Sequence, residues 1–244
     1  MYQTDPPRPP KEVLPTMYDL PSEDPEELGG SDQFHIYQPR LLEETFHPVG
    51  YPPDQIFMGT DLNVYYDPHN PQWYKRPDWF AVLGVSQLYE EQDLRLSYVL
   101  WQEGVDPFIV VELLSPGTEK EDLGQTLREV NQPPTKWEVY ERILKVPYYA
   151  VFDRYTDHLR VFMLQGDRYA EQTLEASCFW IDSIELGFGL WQGMYQGINR
   201  QWLRWFDRDG NWLPTLTEQK QQEQERTERL AAKLRELGVD PDEV

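Results

Sequence analysis

Two acids stand out because their surroundings leave little else to explain them. Asp78 follows Pro77 at the head of an apolar run, and Glu112 sits inside Phe108-Ile109-Val110-Val111-Glu112-Leu113-Leu114. A run of that length and composition is expected as a strand buried on both faces, where a carboxylate is costly unless it has a partner or a purpose. If the two strands are neighbours, both carboxylates converge on one end of a sheet. Two such anions repel and raise one another's pKa, whereas Mg²⁺ bridges them through hard oxygen ligands and keeps both charged. That is the layout of a metal-dependent phosphodiesterase. Taken singly, Asp78 also fits the Pro-Asp pattern of a turn, and Glu112 also fits a buried ion pair.

The elements that would position these acids read as sheet first. Segments 56–66, 78–85, 94–101, 108–114, 148–152 and 159–164 are rich in Val, Ile, Tyr, Phe and Trp and are bounded by Asp, Pro, Gly and Asn. After Glu112, Ser115-Pro116-Gly117-Thr118 breaks the strand, with Ser115 shaping the loop. Residues 136–145 then place Trp137, Tyr140 and Leu144 at helical spacing before Pro147. Residues 168–213 hold Trp180, Trp191, Trp202, Trp205 and Trp212, and are expected as a β-rich extension whose turn is Asp207 to Asn211. The Trp side chains are expected to fill core, with a stacking groove for bases or sugars as the alternative. Thr215 precedes Glu218 by three, a capping-box spacing that opens a polar helix to Leu237, closed by Gly238.

Composition narrows the functions available to this frame. Its 244 residues carry 43 Asp and Glu against 22 Lys and Arg, a net charge of −21, so the overall field repels phosphate backbones and anionic membranes. A nucleic-acid partner needs a local basic groove or a metal. Residues 1–33 form a Pro-rich acidic segment expected as an extended arm, the body is 34–213, and 214–244 is the polar helix and tail. The ends carry −6 and −3, so −12 remains on residues 34–217. One cysteine, Cys178, excludes an internal disulfide and a thiolate zinc site, which reads as a reducing, cytoplasmic setting. No run of apolar residues is long enough to span a membrane.

The residues Arg76-Pro77-Asp78-Trp79, Val110 to Thr118, Lys136-Trp137-Glu138-Val139-Tyr140-Glu141 and Val146-Pro147-Tyr148-Tyr149, in this order, resemble the Uma-type restriction endonuclease family, abundant in cyanobacteria. The motifs cover about residues 55–165, and the likeness is expected to extend over 34–213. The resemblance implies the PD-(D/E)XK nuclease-like fold: an α/β (α+β) domain with a mixed β-sheet core flanked by helices. It also implies that Asp78, Glu112 and the Leu113 carbonyl bind Mg²⁺, or Mn²⁺, for hydrolysis of DNA. The family pattern places a lysine two residues after the Glu, on the same strand face. Here that residue is Leu114. Lys136, at the start of the next helix, is the candidate replacement that orients the attacking water, a solvated first-turn lysine being the plainer reading. Lys75, Arg76, Lys120 and Arg128 lie near the motifs as candidate phosphate contacts, although scattered cations of this kind usually serve solubility.

Other chemical-looking signals are weak. Gly187, Gly189 and Gly193 lack dinucleotide-binding spacing and read as turn glycines. Asp207, Asp209 and Asn211 imitate a calcium loop without its closing Glu. His35, His47, His69 and His158 show no metal-ligand spacing. The expected function is a Mg²⁺-dependent nuclease, with a catalytically inactive nuclease-fold binding or assembly module as the alternative. Leu230, Leu234 and Leu237 are the expected contact of a homodimer.

Overall fold

The computed structural model describes residues 9–16, 19, 33–114, 122–125 and 132–236. The expected loop at Ser115 to Thr118, the cations Lys120 and Arg128, and the helix end at Leu237 and Gly238 lie outside the described residues.

Among the described residues, twelve strands form three sheets. Those of the central sheet are β1 (Ile56–Thr60), β4 (Trp79–Leu83), β6 (Ile109–Leu113), β7 (Tyr148–Asp153), β8 (His158–Gln165) and β9 (Arg168–Glu171), hydrogen-bonded in that order. Only β6 and β7 run parallel; the other neighbours are antiparallel, so the sheet is mixed. A small sheet holds β2 (Val64–Tyr65), β3 (Tyr74–Lys75) and β5 (Tyr98–Val99), and a third holds β10 (Cys178–Ile181), β11 (Leu186–Tyr195) and β12 (Ile198–Phe206). The helices are α1 (Pro10–Val13), α2 (Gln33–Thr45), α3 (Leu100–Glu103), α4 (Lys136–Glu138, continuing as a π turn over Val139–Ile143) and α5 (Leu216–Glu236). This is the α+β, restriction-endonuclease-like architecture expected from the sequence.

Alternation along β6 divides the core into two layers. Ile109, Val111 and Leu113 face a cluster with Leu41 and Leu42 of α2, Phe46 just after it, and Phe188, Trp202 and Trp205 of the third sheet. Val110 faces the opposite cluster, with Tyr98 and with Val139, Tyr140 and Leu144 of the α4 segment. All five residues of β6 are buried, which fits a strand covered on both sides. The β-rich extension is therefore a packing layer, and Trp202 and Trp205 fill it.

Three local readings change. The 56–66 segment is two strands, because Asp61 adopts φ 50° and the chain turns there. Of 94–101 only Tyr98–Val99 is strand: Arg95 donates to the carbonyls of Ser86 and Gln87 and to Glu103, holding the preceding residues as loop and the following ones as helix. Gly187 and Gly193 lie inside β11, where a Cβ would overlap the rings of Phe206 and Trp191; they are seats for aromatic rings, not turn residues. Helix α2, which the sequence reading does not include, carries Pro39 in its interior, a residue that ordinarily interrupts a helix. Its buried Phe34, Leu41 and Leu42 supply tertiary packing that overrides the loss.

Helix α2 also closes an exposed edge. The Gln38 side chain, fully buried, donates to the Leu203 carbonyl at 2.8 Å and accepts from the Leu203 N–H at 2.8 Å, completing both backbone bonds on the outer side of β12. Within the segment expected as an extended arm, Pro10–Val13 is helical, and Trp101 Nε1 donates to the Pro15 carbonyl at 2.9 Å. Among the described residues no helix is long and apolar enough to cross a membrane.

Candidate metal-binding and catalytic site

Strand register brings the two acids together. β4 and β6 pair with Trp79 opposite Val111, so one step before β4 sets Asp78 beside Glu112. The Leu113 N–H donates to Asp78 Oδ2 at 2.6 Å, and the Asp78 N–H makes a long bond of 3.4 Å to Glu112 Oε2. Glu112 is 1% exposed and points to the face covered by α4.

The helix then delivers two donors to that one carboxylate. Thr135 caps α4 with a full capping box: Glu138 N–H donates to Thr135 Oγ1 at 3.2 Å, and Thr135 N–H to Glu138 Oε2 at 3.1 Å. This fixes Lys136 in the first turn, where its Nζ donates to Glu112 Oε2 at 2.9 Å. Four residues on, the Tyr140 hydroxyl donates to Glu112 Oε1 at 2.9 Å. Tyr140 lies in the π turn, closed by Leu144 N–H donating to Val139 O at 2.9 Å; widened turns of this kind recur at functional sites. Leu114, on the same side of the chain as Glu112, packs against the apolar layer instead. The ammonium group reaches the buried Glu from a helix rather than from the strand.

Two further groups belong to the cluster. Asp122 is buried, its Oδ1 is 3.4 Å from Lys136 Nζ, and its backbone carbonyl accepts from the Tyr149 hydroxyl at 2.9 Å. Sequence reasoning passed over it: Glu119, Lys120, Glu121 and Asp122 form a polar run with no periodicity to separate a buried acid from a solvated one. His35, from α2, lies with Nε2 3.1 Å from the Leu113 carbonyl oxygen. A carbonyl only accepts, so Nε2 carries the proton in this contact. His35 was dismissed for want of spacing, because its partner is main chain rather than another ligand side chain.

Charge in the cluster is uneven. Burial pushes Asp78 above the ordinary carboxylate range, opposed by Lys136 and the Leu113 N–H. Burial pushes Glu112 well up, opposed by Lys136 and reinforced by Asp122 and Asp78. Burial alone would lower Lys136, but Asp122, Glu112 and Asp78 together raise it well above a normal lysine. Lys136 therefore stays an ammonium and Tyr140, pushed up by burial and Glu112, stays a neutral donor. Three carboxylates act on this single ammonium. Among the described residues no three of His, Cys, Asp and Glu are grouped as a ready-made metal cage. Asp78 and Glu112 meet through the main chain: the Leu113 N–H donates to Asp78 and the Asp78 N–H to Glu112.

The other singled-out residues lie elsewhere. Lys75 is buried in β3, and Arg76 pairs with Asp61 at 2.9 Å. Asp207 accepts from Asp209 N–H at 2.9 Å and Asn211 N–H at 2.8 Å, a self-contained turn.

A mixed sheet with paired acids at the ends of adjacent strands and a lysine set over them defines a protein of the restriction-endonuclease-like class. The chain belongs to the Uma2 family, described as "Putative restriction endonuclease", whose sequence model matches residues 14–193. The match begins inside the Pro-rich segment and ends within β11, so it reaches further toward the N-terminus than the motifs alone. No curated protein matches the chain.

Proposed function

We propose that the protein is a metal-dependent nuclease that hydrolyses phosphodiester bonds of DNA, with Asp78, Glu112 and Lys136 as its working set. The observation that carries this reading is the excess of buried carboxylate around one fixed ammonium, which a structural ion pair does not require. The donor chemistry fits a hard divalent ion: Mg²⁺, or Mn²⁺, would rest on Asp78, Glu112 and the Leu113 carbonyl, with water completing a shell that Mg²⁺ rarely surrenders. Such an ion lowers the pKa of a bound water and offsets charge on the phosphoryl group.

The residues of the chain divide the remaining work. Lys136, held charged, cannot serve as a base; it donates a hydrogen bond to the attacking water and stabilises negative charge as it develops. A carboxylate of raised proton affinity is better suited to take the proton, and Glu112 is within reach of Lys136. Water oxygen bonds to phosphorus as the bond to the departing oxygen breaks; the water proton passes to the carboxylate, and the departing oxygen keeps the bonding electron pair and takes a proton from solvent water. Tyr140 keeps Glu112 oriented, and His35 keeps the Leu113 carbonyl in place.

A second reading, an inactive binding or assembly module, draws on the Lys136–Glu112 link and on His35 at the Leu113 carbonyl. Incubation of purified protein with plasmid and short duplexes in Mg²⁺ or Mn²⁺ separates the two. Cutting by the wild type, lost in Asp78→Ala and Glu112→Ala, is the expected result. Intact DNA across the panel, or cutting that survives Asp78→Ala, overturns the nuclease reading.

A further inference from the structure

Both oxygens of Glu112 are engaged. Tyr140 donates to Oε1 and Lys136 to Oε2, each at 2.9 Å, and the long contact from the Asp78 N–H also falls on Oε2. The neutral hydroxyl can share its oxygen with a divalent cation, because a carboxylate oxygen that accepts one hydrogen bond keeps a lone pair for a second partner. The ammonium cannot. Two cations drawn to one buried oxygen repel each other, and little water is present to screen them. A metal that rests on Glu112 Oε2 therefore displaces Lys136, and a displaced ammonium in a largely buried place needs another anion.

Asp122 is placed to be that anion. Its Oδ1 lies 3.4 Å from Lys136 Nζ, is buried, and makes no hydrogen bond among the described residues. An acid kept for the fold alone would be bonded there, since a buried oxygen without a donor costs free energy. Packing, not the carboxylate, holds Asp122: its carbonyl accepts from the Tyr149 hydroxyl at 2.9 Å, and Leu123 packs against the apolar layer under α4. Gly124, at φ 67°, lies so close to Trp137 that a Cβ would come within 2.8 Å of the indole. Trp137 follows Lys136, so the segment that carries Asp122 is pressed against the turn that carries the ammonium. Lys136 is the member with room to move, its side chain being 20% exposed against 1% for Glu112 and 2% for Asp122. About 0.5 Å of travel converts the Asp122 contact into a charge-assisted hydrogen bond. We infer that Asp122 is a positioning residue that receives Lys136 when Glu112 turns to the metal, and so holds the ammonium beside the attacking water. This rests on the metal-dependent reading above, and it makes the Lys136–Glu112 link an exchangeable contact rather than a seal on the site.

Crystal structures of the full chain grown in EDTA and in Mg²⁺ test the transfer directly, and calorimetric titration with Mg²⁺ tests its energetic consequence. In EDTA, Lys136 should bond Glu112 Oε2; in Mg²⁺ it should leave that oxygen and lie within about 3.2 Å of Asp122 Oδ1. Asp122→Asn keeps the shape and removes the charge. It should weaken Mg²⁺ binding about 10- to 100-fold, the usual effect of losing a group that supports a metal site from behind its ligands. In cutting assays it should lower kcat by a similar factor while KM for DNA stays within about 2-fold, a split that general loss of structure would not produce. Near-ultraviolet circular dichroism checks the fold of the variant, and the two wild-type crystals carry the test if it is perturbed. Lys136 anywhere but on Asp122 with Mg²⁺ bound, Asp122 itself on the ion, or unchanged Mg²⁺ affinity in folded Asp122→Asn overturns the inference. DNA cut in Mg²⁺ with Lys136 unmoved overturns the inference alone; transfer of Lys136 with DNA left intact overturns the nuclease reading alone. Failure of the wild type to bind Mg²⁺ overturns both.

Discussion

Arg95 with Glu103 and Lys136 with its three acids are both buried ionic groups, yet they are built on opposite rules. Arg95 and Glu103 are 2% and 9% exposed and bond twice, at 2.7 and 3.0 Å. The guanidinium also donates to two backbone carbonyls and lies 4.4 Å from the Phe57 ring. One charge meets one charge, with two further donors on backbone carbonyls, which is the arrangement a fold can tolerate in its interior. Under α4, by contrast, Asp78, Glu112 and Asp122 share Lys136. The surplus of acid over base is what separates this cluster from the Arg95–Glu103 pair, and the proposed metal is the further cation that would balance it.

Removal of the cation is the harshest way to break this comparison. Lys136→Met strands three carboxylates and should lower unfolding free energy by about 4 kcal/mol at neutral pH, read by urea denaturation, while abolishing cutting. Arg95→Met strands one carboxylate and should cost about 3 kcal/mol with cutting per folded molecule preserved; adding Glu103→Leu should restore stability to within about 1 kcal/mol. A Lys136→Met variant as stable as the wild type would remove the basis of the contrast.

Metal sharpens the comparison. Mg²⁺ should stabilise the wild type by about 2.7 kcal/mol at a concentration 100 times its Kd, seen as a rising Tm, and should do nothing for Asp78→Asn. Because Asp78 and Glu112 titrate above their unfolded values, the folded chain holds more protons in the window just above the ordinary carboxylate range. Without metal, their contribution to stability therefore falls as pH rises through that window. Mg²⁺ displaces those protons, so its stabilising effect should grow with pH over the same interval. A metal response independent of pH would contradict the assignment. Smallest of all, Glu112→Gln in EDTA should shift stability by no more than about 1 kcal/mol, since Asp122 still faces Lys136 and the amide still accepts.

Much of the frame was legible in the residues. Strand β6 announced itself by its apolar run, and Glu112 announced itself by interrupting that run. Asp78 and Lys136 needed the motif order as well, because a Pro-Asp pair and a lysine at a helix start are common on surfaces. Asp122 and His35 were not legible: one lies in an undifferentiated polar stretch, and the other acts on a carbonyl that every residue possesses. Helix α2 was not read from the residues at all: Pro39 lies in its interior, and the packing of Phe34, Leu41 and Leu42 that holds it is tertiary. Gly187 and Gly193 misled because ring seating depends on the partner strand and on Trp191, and neither is visible in glycine spacing.

The amide of Gln38 has the last consequence. It takes the place of a neighbouring strand at Leu203, and an amide neither gains nor loses a proton across the biological range. Acidification can therefore rearrange the cluster beneath α4 while the latch between α2 and β12 holds. At Leu203 a second copy of the chain would find the hydrogen-bonding positions of β12 already taken, so strand-to-strand addition is blocked at that residue.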